Sequence, residues 1–387
     1  MKTQAELAAM KAATNARKER VLTTIKVSDV VGRAVRLVKA GSELSGLCPF
    51  HNDTNIGSFM VNDVKGIYHC FACQAHGTAL DFLINHRGMA FLDALAALES
   101  DAGLSALDFN DPAKVRELEE ARAAREADAA KDAEGRRSRA ESLWRGAEPI
   151  GRDGVATPAL AYLQGRMIDF AALGKLPGAL RWRPDIGHPD FKGRKDNRHA
   201  AMIAAIFALS GQIVGCHRTY LDISGWDFAR RAGVVIKLGG VSDAKLTLGP
   251  SLGGHIPIWK GEHRHPLKDI PAGTDVYLSE GIEDGGSVAV SDPTRRVICG
   301  VSLSKLGAVE LPEQMGALVL IGQRDKVGSA AADAFERVIA AHQARGRKVK
   351  LMMPPVGFKD FNDVLTGKAM TDAGGDFGGD GCGSIEQ

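Results

Sequence analysis

The chain has 387 residues, too many for one small core and suited to two or three domains. It is 44% hydrophobic and 25% charged, with 45 glycines, and its net charge of +2 averages unlike segments. No apolar run approaches the roughly 18 residues of a membrane span, and the opening MKTQAELAAMKAATNARKER has no signal-peptide core, so a soluble, cytoplasmic protein with no membrane partner is expected.

In chain order, residues 1–20 are rich in Ala and Lys without a clear apolar face, and read as a frayed helix. A short amphipathic helix falls between Val21 and Val38. Loops and strands follow from Gly46 to Gly77, and Thr78 to Glu99 shows helical spacing broken near Arg87-Gly88. Of the six cysteines, Cys48, Cys70 and Cys73 cluster while Cys216, Cys299 and Cys382 are scattered, which is not a disulfide framework. Cys48-Pro-Phe-His51 and Cys70-Phe-Ala-Cys73 each separate two donors by two residues, so one tight turn aims both at a single ion. A hairpin across the 18 residues between the pairs closes the set: three thiolates and one imidazole, the donors of a structural Zn²⁺. Buried thiols or a redox pair in CFAC are the alternatives. His69 and His76 lie close by, but each would displace a better-spaced ligand. Phe50, Phe59, Tyr68 and Phe71 supply a mini-core, and an exposed one is suited to stack on an unpaired base.

Pro112 to Trp144 balances its charges, uses mostly alanine as its small residue and offers little to bury, which reads as a solvated helical linker. The next domain starts near Ala147 with a helix around ALAYLQGR, a basic loop, a strand pair AMIAAIFAL and GQIVGCHRTYL turning at Ser210-Gly211, and a strand VVIKLG. From Asp275 to Leu365 strands and helices alternate in βαβ fashion. Beyond Lys368 the Gly-rich tail, with Cys382, cannot build a core and is expected to be disordered. The expected domains are 22–100 (metal-binding), 101–146 (linker), 147–271 (basic), 272–367 (βαβ) and 368–387 (tail). The fold class is α+β and α/β, multidomain.

Three strand ends in the βαβ region carry acids. DVYLSEGIEDGGSVAV delivers Glu280, LVLIGQRDKVG delivers Asp325, and KLMMPPVGFKDFNDVL delivers Asp360 and Asp363. Open α/β sheets bind ligands outside the carboxyl ends of their strands. Carboxylates gathered there repel one another unless a hard cation such as Mg²⁺ or Mn²⁺ sits among them. Three unrelated surface loops would look the same in sequence.

The stretch from Arg181 to His199 holds six Arg or Lys against three Asp, with Trp182 and Phe191 interleaved: charge for phosphates and flat faces for bases. Arg181, Trp182, Lys192, Arg194, Lys195, Arg218, Arg230, Lys245 and Lys359 are the nucleic-acid or nucleotide candidates; a solvated loop of ordinary charge is the alternative. His217 is either a phosphate contact or a structural residue. No Walker A sequence or nucleophile–histidine pairing is evident.

GLCPFHNDTNIGSFMV and GIYHCFACQAHGTALDFL resemble the CHC-type zinc ribbon of bacterial and phage replicative primases, with Gly57 where that family usually has proline. SEGIEDG, the run ending Asp325-Lys-Val-Gly, and KDFND resemble the three motifs of a Toprim domain. YLQGR, RHAAMIAAI, GCHRTYLD and KLTLGP resemble the accompanying region of phage- and plasmid-type primases. The resemblance implies a primase-like catalytic core with a C-terminal Rossmann-like Toprim fold. It further implies primer synthesis from nucleoside triphosphates on single-stranded DNA template, and catalytic metal at Glu280, Asp325 and Asp360. A separate replicative helicase is an implied partner, and Arg218 and Lys245 are implied template or nucleotide contacts. One departure stands out: Gln323 occupies the first acid of the family's Asp-x-Asp motif. An inactive, DNA-binding relative and a Toprim-type nuclease are therefore carried as alternatives.

Overall fold

The computed structural model describes residues 4–41, 43–53, 56–73, 75–102, 112–152 and 155–370. The expected disordered tail, Cys382 included, lies outside the described residues from 371 onward. The chain divides into two compact units, Met1–Asp132 and Ala133–Gln387.

In the first unit, helix α1 (Gln4–Thr24) covers the segment expected to fray. Near its end Val21 is buried, and Arg17 Nε and Nη2 each reach the Glu99 carboxylate at 2.7 Å. Helix α2 (Val27–Val31) buries Val27, Val30 and Val31. Five short antiparallel strands follow in sequential order: β1 (Val38–Ala40), β2 (Glu43–Gly46), β3 (Phe59–Asn62), β4 (Ile67–Cys70) and β5 (His76–Gly77). Strand β3 alternates, with Phe59 and Val61 inward, as a one-sided sheet requires. Helix α3 (Ala79–Arg87) begins with a Thr78–Asp81 capping box and ends at Gly88, whose φ of 66° only glycine adopts without strain. Helix α4 (Phe91–Asp101) closes the core with Leu95 and Leu98. Phe50 stacks on Tyr68 at 5.4 Å, with the Phe82 edge against both rings.

Helix α5 (Pro112–Arg145) runs across the boundary between the units. In the second unit come the short strands β6 (Glu148–Pro149), β7 (Gly151–Arg152) and β8 (Val155–Ala156), and helix α6 (Pro158–Gln164). Then follow β9 (Leu180–Ile186), β10 (His199–Phe207), β11 (Ile213–Asp227), β12 (Ala232–Lys237) and β13 (Lys245–Leu248). They form an antiparallel sheet in the order β12-β11-β10-β9-β6, with β13 also on β11. Strand β10 is buried on both faces. Ala200, Met202, Ala204 and Ile206 enter the main core, while Ala201 and Ile203 share a smaller one with Ala140, Leu143 and Trp144 of α5. The last turns of α5 are thus a covering layer rather than solvated linker, because a strand apolar on both sides needs two. Trp144 Nε1 donates to the Ala179 carbonyl at 2.8 Å.

The second sheet of this unit contains β14 (Ile256–Lys260), β15 (Val276–Ser279), β16 (Arg296–Cys299), β17 (Leu318–Ile321) and β18 (Val349–Met352). The order is β14-β16-β15-β17-β18, all parallel except the edge strand β14. Helices α7 (Ile282–Ser291), α8 (Leu303–Leu306), α9 (Ala330–Gln343) and α10 (Phe361–Thr366) intervene or follow. Gly285 and Gly286 let α7 lie close: a Cβ would come within 2.5 Å of Ser279 Oγ at the first and 2.8 Å of Ile168 Cγ2 at the second. Successive strands are added to opposite sides of β15, so the order reverses between β15 and β17. That reversal opens a crevice beyond their carboxyl ends.

Candidate metal centre and acidic crevice

Cys48, His51, Cys70 and Cys73 converge, with one ligand atom of each within 4.8 Å of all the others. Tetrahedral Zn²⁺ with bonds of about 2.3 Å to sulfur sets its ligands about 3.8 Å apart. Cys48 Sγ lies 3.6 Å from Cys73 Sγ, and Cys70 Sγ lies 3.9 Å from His51 Nδ1. The donor set therefore fits a closed structural zinc site. The Cys73 backbone N–H points at Cys70 Sγ (3.5 Å), which favours a thiolate. Asp53, missed in the sequence, supports the first pair: its Oδ2 accepts from the Cys48 N–H (2.9 Å) and the Ser58 hydroxyl (2.5 Å), and its Oδ1 is 3.9 Å from His51 Nε2. His69 and His76 pair across β4 and β5, outside the quartet. Of the four aromatics, Phe59 and Tyr68 are fully buried, whereas Phe71 is 60% exposed and packs against His69.

In the second unit, Glu280 follows β15 and Asp325 follows β17, on the two strands that flank the reversal. Burial raises the Glu280 carboxyl above its ordinary value, and the Asp325 charge pushes in the same direction against Lys245 and Lys359. The Glu280 carbonyl accepts from Cys299 Sγ at 2.9 Å, which fixes the backbone there. Asp360 caps α10, accepting from the Asp363 N–H at 2.8 Å.

The residue that ties these loops together is Asp284, in the first turn of α7, which the sequence reading passed over. Its Oδ2 accepts from Gln323 Nε2 (2.8 Å) and its Oδ1 from the Phe361 N–H (3.0 Å). Burial and then the Asp360 charge push this carboxyl up to about 7, despite those two hydrogen bonds. Gln323 thus serves as a donor to Asp284, where an aspartate would repel it. Among the described residues, no three acids here bring their oxygens within 4.8 Å of one another.

Glu283 is also buried. Burial opposes its charge, but the Lys245 ammonium at 2.9 Å and the Tyr162 hydroxyl at 2.8 Å overcome that and hold it down at about 2. Lys245, singled out as a nucleotide contact, is committed to this ion pair in the structure.

The other basic candidates divide by their surroundings. Trp182 is 4% exposed and faces the core, so no ring face is open to a base. Arg181 lies over the Trp144 ring at 3.8 Å and donates to the carbonyls of Trp144, Arg145 and Ala147, holding the end of α5. Arg218 donates to the Tyr220 hydroxyl (3.2 Å). Arg194 pairs with Asp196 and Arg230 lies 3.6 Å from Asp227, while Lys192, Lys195 and Lys359 are exposed. His217 is buried and its imidazole is pushed down to about 3, by burial first and then by Lys245, so it is a neutral interior residue.

Three family models match: the CHC2 zinc finger over residues 13–114, a domain of unknown function (DUF7146) over 134–258, and the Toprim domain over 275–370. The DNA primase of Haemophilus influenzae is 40% identical over 84 residues, covering 22% of this chain and 14% of that protein. The DNA primase of Helicobacter pylori is 40% identical over 80 residues, covering 21% and 14%. The matched stretch is therefore a small part of each relative. The crystal structure of the Aquifex aeolicus primase zinc-binding and RNA polymerase domains is 16% identical, covering 91% of this chain and 82% of that one, with a TM-score of 0.37. Among the described residues, no helix is long and apolar enough to cross a membrane. The chain thus carries a CHC2 zinc finger and a Toprim domain, and over about a fifth of its length it is similar to bacterial DNA primases.

Proposed function

We propose that the protein synthesises short RNA primers on single-stranded DNA by metal-dependent nucleotidyl transfer. The observation that carries this reading is electrostatic. The Asp325 charge helps push the Glu280 carboxyl up at a strand-order reversal, and the Asp360 charge helps push Asp284 up beside it. Such crowding is costly without a cation and is relieved by one. Glu280, Asp325 and Asp360, with Asp363 behind them, would hold Mg²⁺ or Mn²⁺, which when bound neutralises charge developing on the transferred phosphate. Lys359 and Arg218 would grip the triphosphate, and Lys192, Arg194, Lys195 and Arg230 the template backbone. Lys245 would reach a nucleotide only by leaving Glu283. The primer 3′-hydroxyl oxygen then bonds to the α-phosphorus as the bond to pyrophosphate breaks. Phe71 of the zinc finger would offer a stacking face to a template base, and a separate helicase would supply unwinding.

The test is primer synthesis by the purified chain with template, nucleoside triphosphates and Mg²⁺ or Mn²⁺. Glu280→Gln should lower it at least 100-fold with DNA affinity retained; full activity in that variant would refute the assignment. A second reading, DNA binding without catalysis, is favoured by the Gln323–Asp284 hydrogen bond, which satisfies one buried acid without metal. It predicts DNA binding with no incorporation under either metal. Nicking of DNA without nucleotides would instead mark a Toprim-type nuclease.

A further inference from the structure

A cavity of about 510 Å³ opens at the other end of the parallel sheet from the acids. Arg296, in its lining, starts β16 opposite Val276, whereas Glu280 follows the far end of β15, about 13 Å further along the strands. The walls are apolar: Leu176, Phe207, Pro257, Ile258, Trp259 and Leu267. Two buried polar side chains interrupt them, Arg296 and His255, 3% and 4% exposed. Arg296 Nη1 donates to the carbonyls of His265 (2.6 Å) and Lys260 (3.4 Å), but its Nε has no partner, nor does His255 Nδ1. No lining residue is Asp or Glu, and the rim adds Lys175, Lys260, Arg264 and Lys268.

A buried guanidinium without a counter-ion is an expensive arrangement. Burial pulls Arg296 down to about 10, which still leaves it charged at neutral pH, and pulls His255 down to about 4, which leaves it neutral and able to carry a proton on Nδ1. The cavity is therefore lined by one buried positive charge with no acid to balance it, inside largely apolar walls. Its volume lies within the roughly 300–1,000 Å³ of small-molecule sites.

We propose that this cavity binds a small organic carboxylate, with its aromatic or acyl body against Trp259 and Phe207 and its charge paired with the Arg296 guanidinium. One guanidinium charge matches the single charge of a carboxylate, whereas a phosphate brings more charge to be satisfied. The site is independent of the acidic crevice and of the function proposed for it.

Calorimetric titration of the full chain with 2-naphthoate, 2-naphthamide and 2-naphthyl phosphate tests the idea. The carboxylate should bind with one-to-one stoichiometry, at least 10-fold tighter than the amide or the phosphate. Arg296→Met should remove that preference and leave amide binding unchanged. Because Arg296 is buried in the core and its replacement risks misfolding, the exposed rim pair Lys260→Glu/Lys268→Glu is the second variant, expected to weaken naphthoate at least threefold with an unchanged circular dichroism spectrum. Equal binding of acid and amide, tighter binding of the phosphate, or indifference to the rim variant would each overturn the proposal. So would displacement of naphthoate by a peptide with a free carboxyl terminus that binds more tightly, which would make a protein terminus the ligand.

Discussion

Asp284 and Gln323 show how a single side chain resets the electrostatics of the crevice. The Asp284 carboxyl is pushed up to about 7, mainly by burial and then by Asp360. In the unfolded chain it would titrate near ~3.9. A carboxyl raised on folding contributes stability in its protonated form, in full below the unfolded value and lost as pH rises through the folded one. Without divalent ions, the wild type should therefore lose stability between about pH 4 and 7 relative to Asp284→Asn, by on the order of 4 kcal/mol. Asparagine keeps an acceptor for the Phe361 N–H, and Gln323 can turn its amide oxygen inward, so the variant should fold. Chemical denaturation of both proteins across that range checks the difference; parallel curves would mean that Asp284 stays ionised. Glu280 was legible in the sequence because glycine follows it at a strand end. Asp284 was not, because an acid in the first turn of a helix reads equally well as a dipole partner.

At the level of elements, the zinc finger depends on its ions more than its sheet does. Strands of two to four residues around Phe59 and Tyr68 make a small core, and a structural zinc contributes about 10–16 kcal/mol in such sites. Chelation, or Cys73→Ser, should therefore abolish amide-exchange protection in β2–β4 while β15–β18 keep theirs. Mass-detected exchange on the full chain checks this, and protection that survives chelation would show a fold stable without metal. The ligand quartet, the break at Gly88 and the strands β15, β17 and β18 were all readable, because spacing, a glycine cap and apolar runs are local signals. Two features were not. The docking of α5 depends on β10 being apolar on both faces, a property of the partner strand rather than of α5. Trp182 was misread for a different reason. Leu180-Arg-Trp-Arg alternates along β9, so Trp182 shares the inward face with Leu180, while Arg181 and Arg183 take the other; aromatic–basic interleaving here is strand periodicity.

Across the whole molecule, a net charge of +2 would suggest weak attraction to DNA, yet binding responds to local charge. Several basic candidates are already engaged: Arg181 with backbone carbonyls, Lys245 with Glu283 and Arg194 with Asp196. Lys192 and Lys195 are exposed on the same loop, and each is able to displace a counterion from a phosphate. For single strands, each such contact contributes about 0.7 to the slope of log affinity against log salt. Lys192→Gln/Lys195→Gln should therefore reduce that slope by about 1.4 and weaken binding to similar degrees on templates of different sequence. Arg194→Gln should change it less, because removing the arginine also frees Asp196 to repel phosphate only at an exposed, screened position. Fluorescence anisotropy with single-stranded oligonucleotides between 50 and 300 mM salt, roughly the range over which such slopes are read, measures both. An unchanged slope in the double variant would move the template path away from this loop.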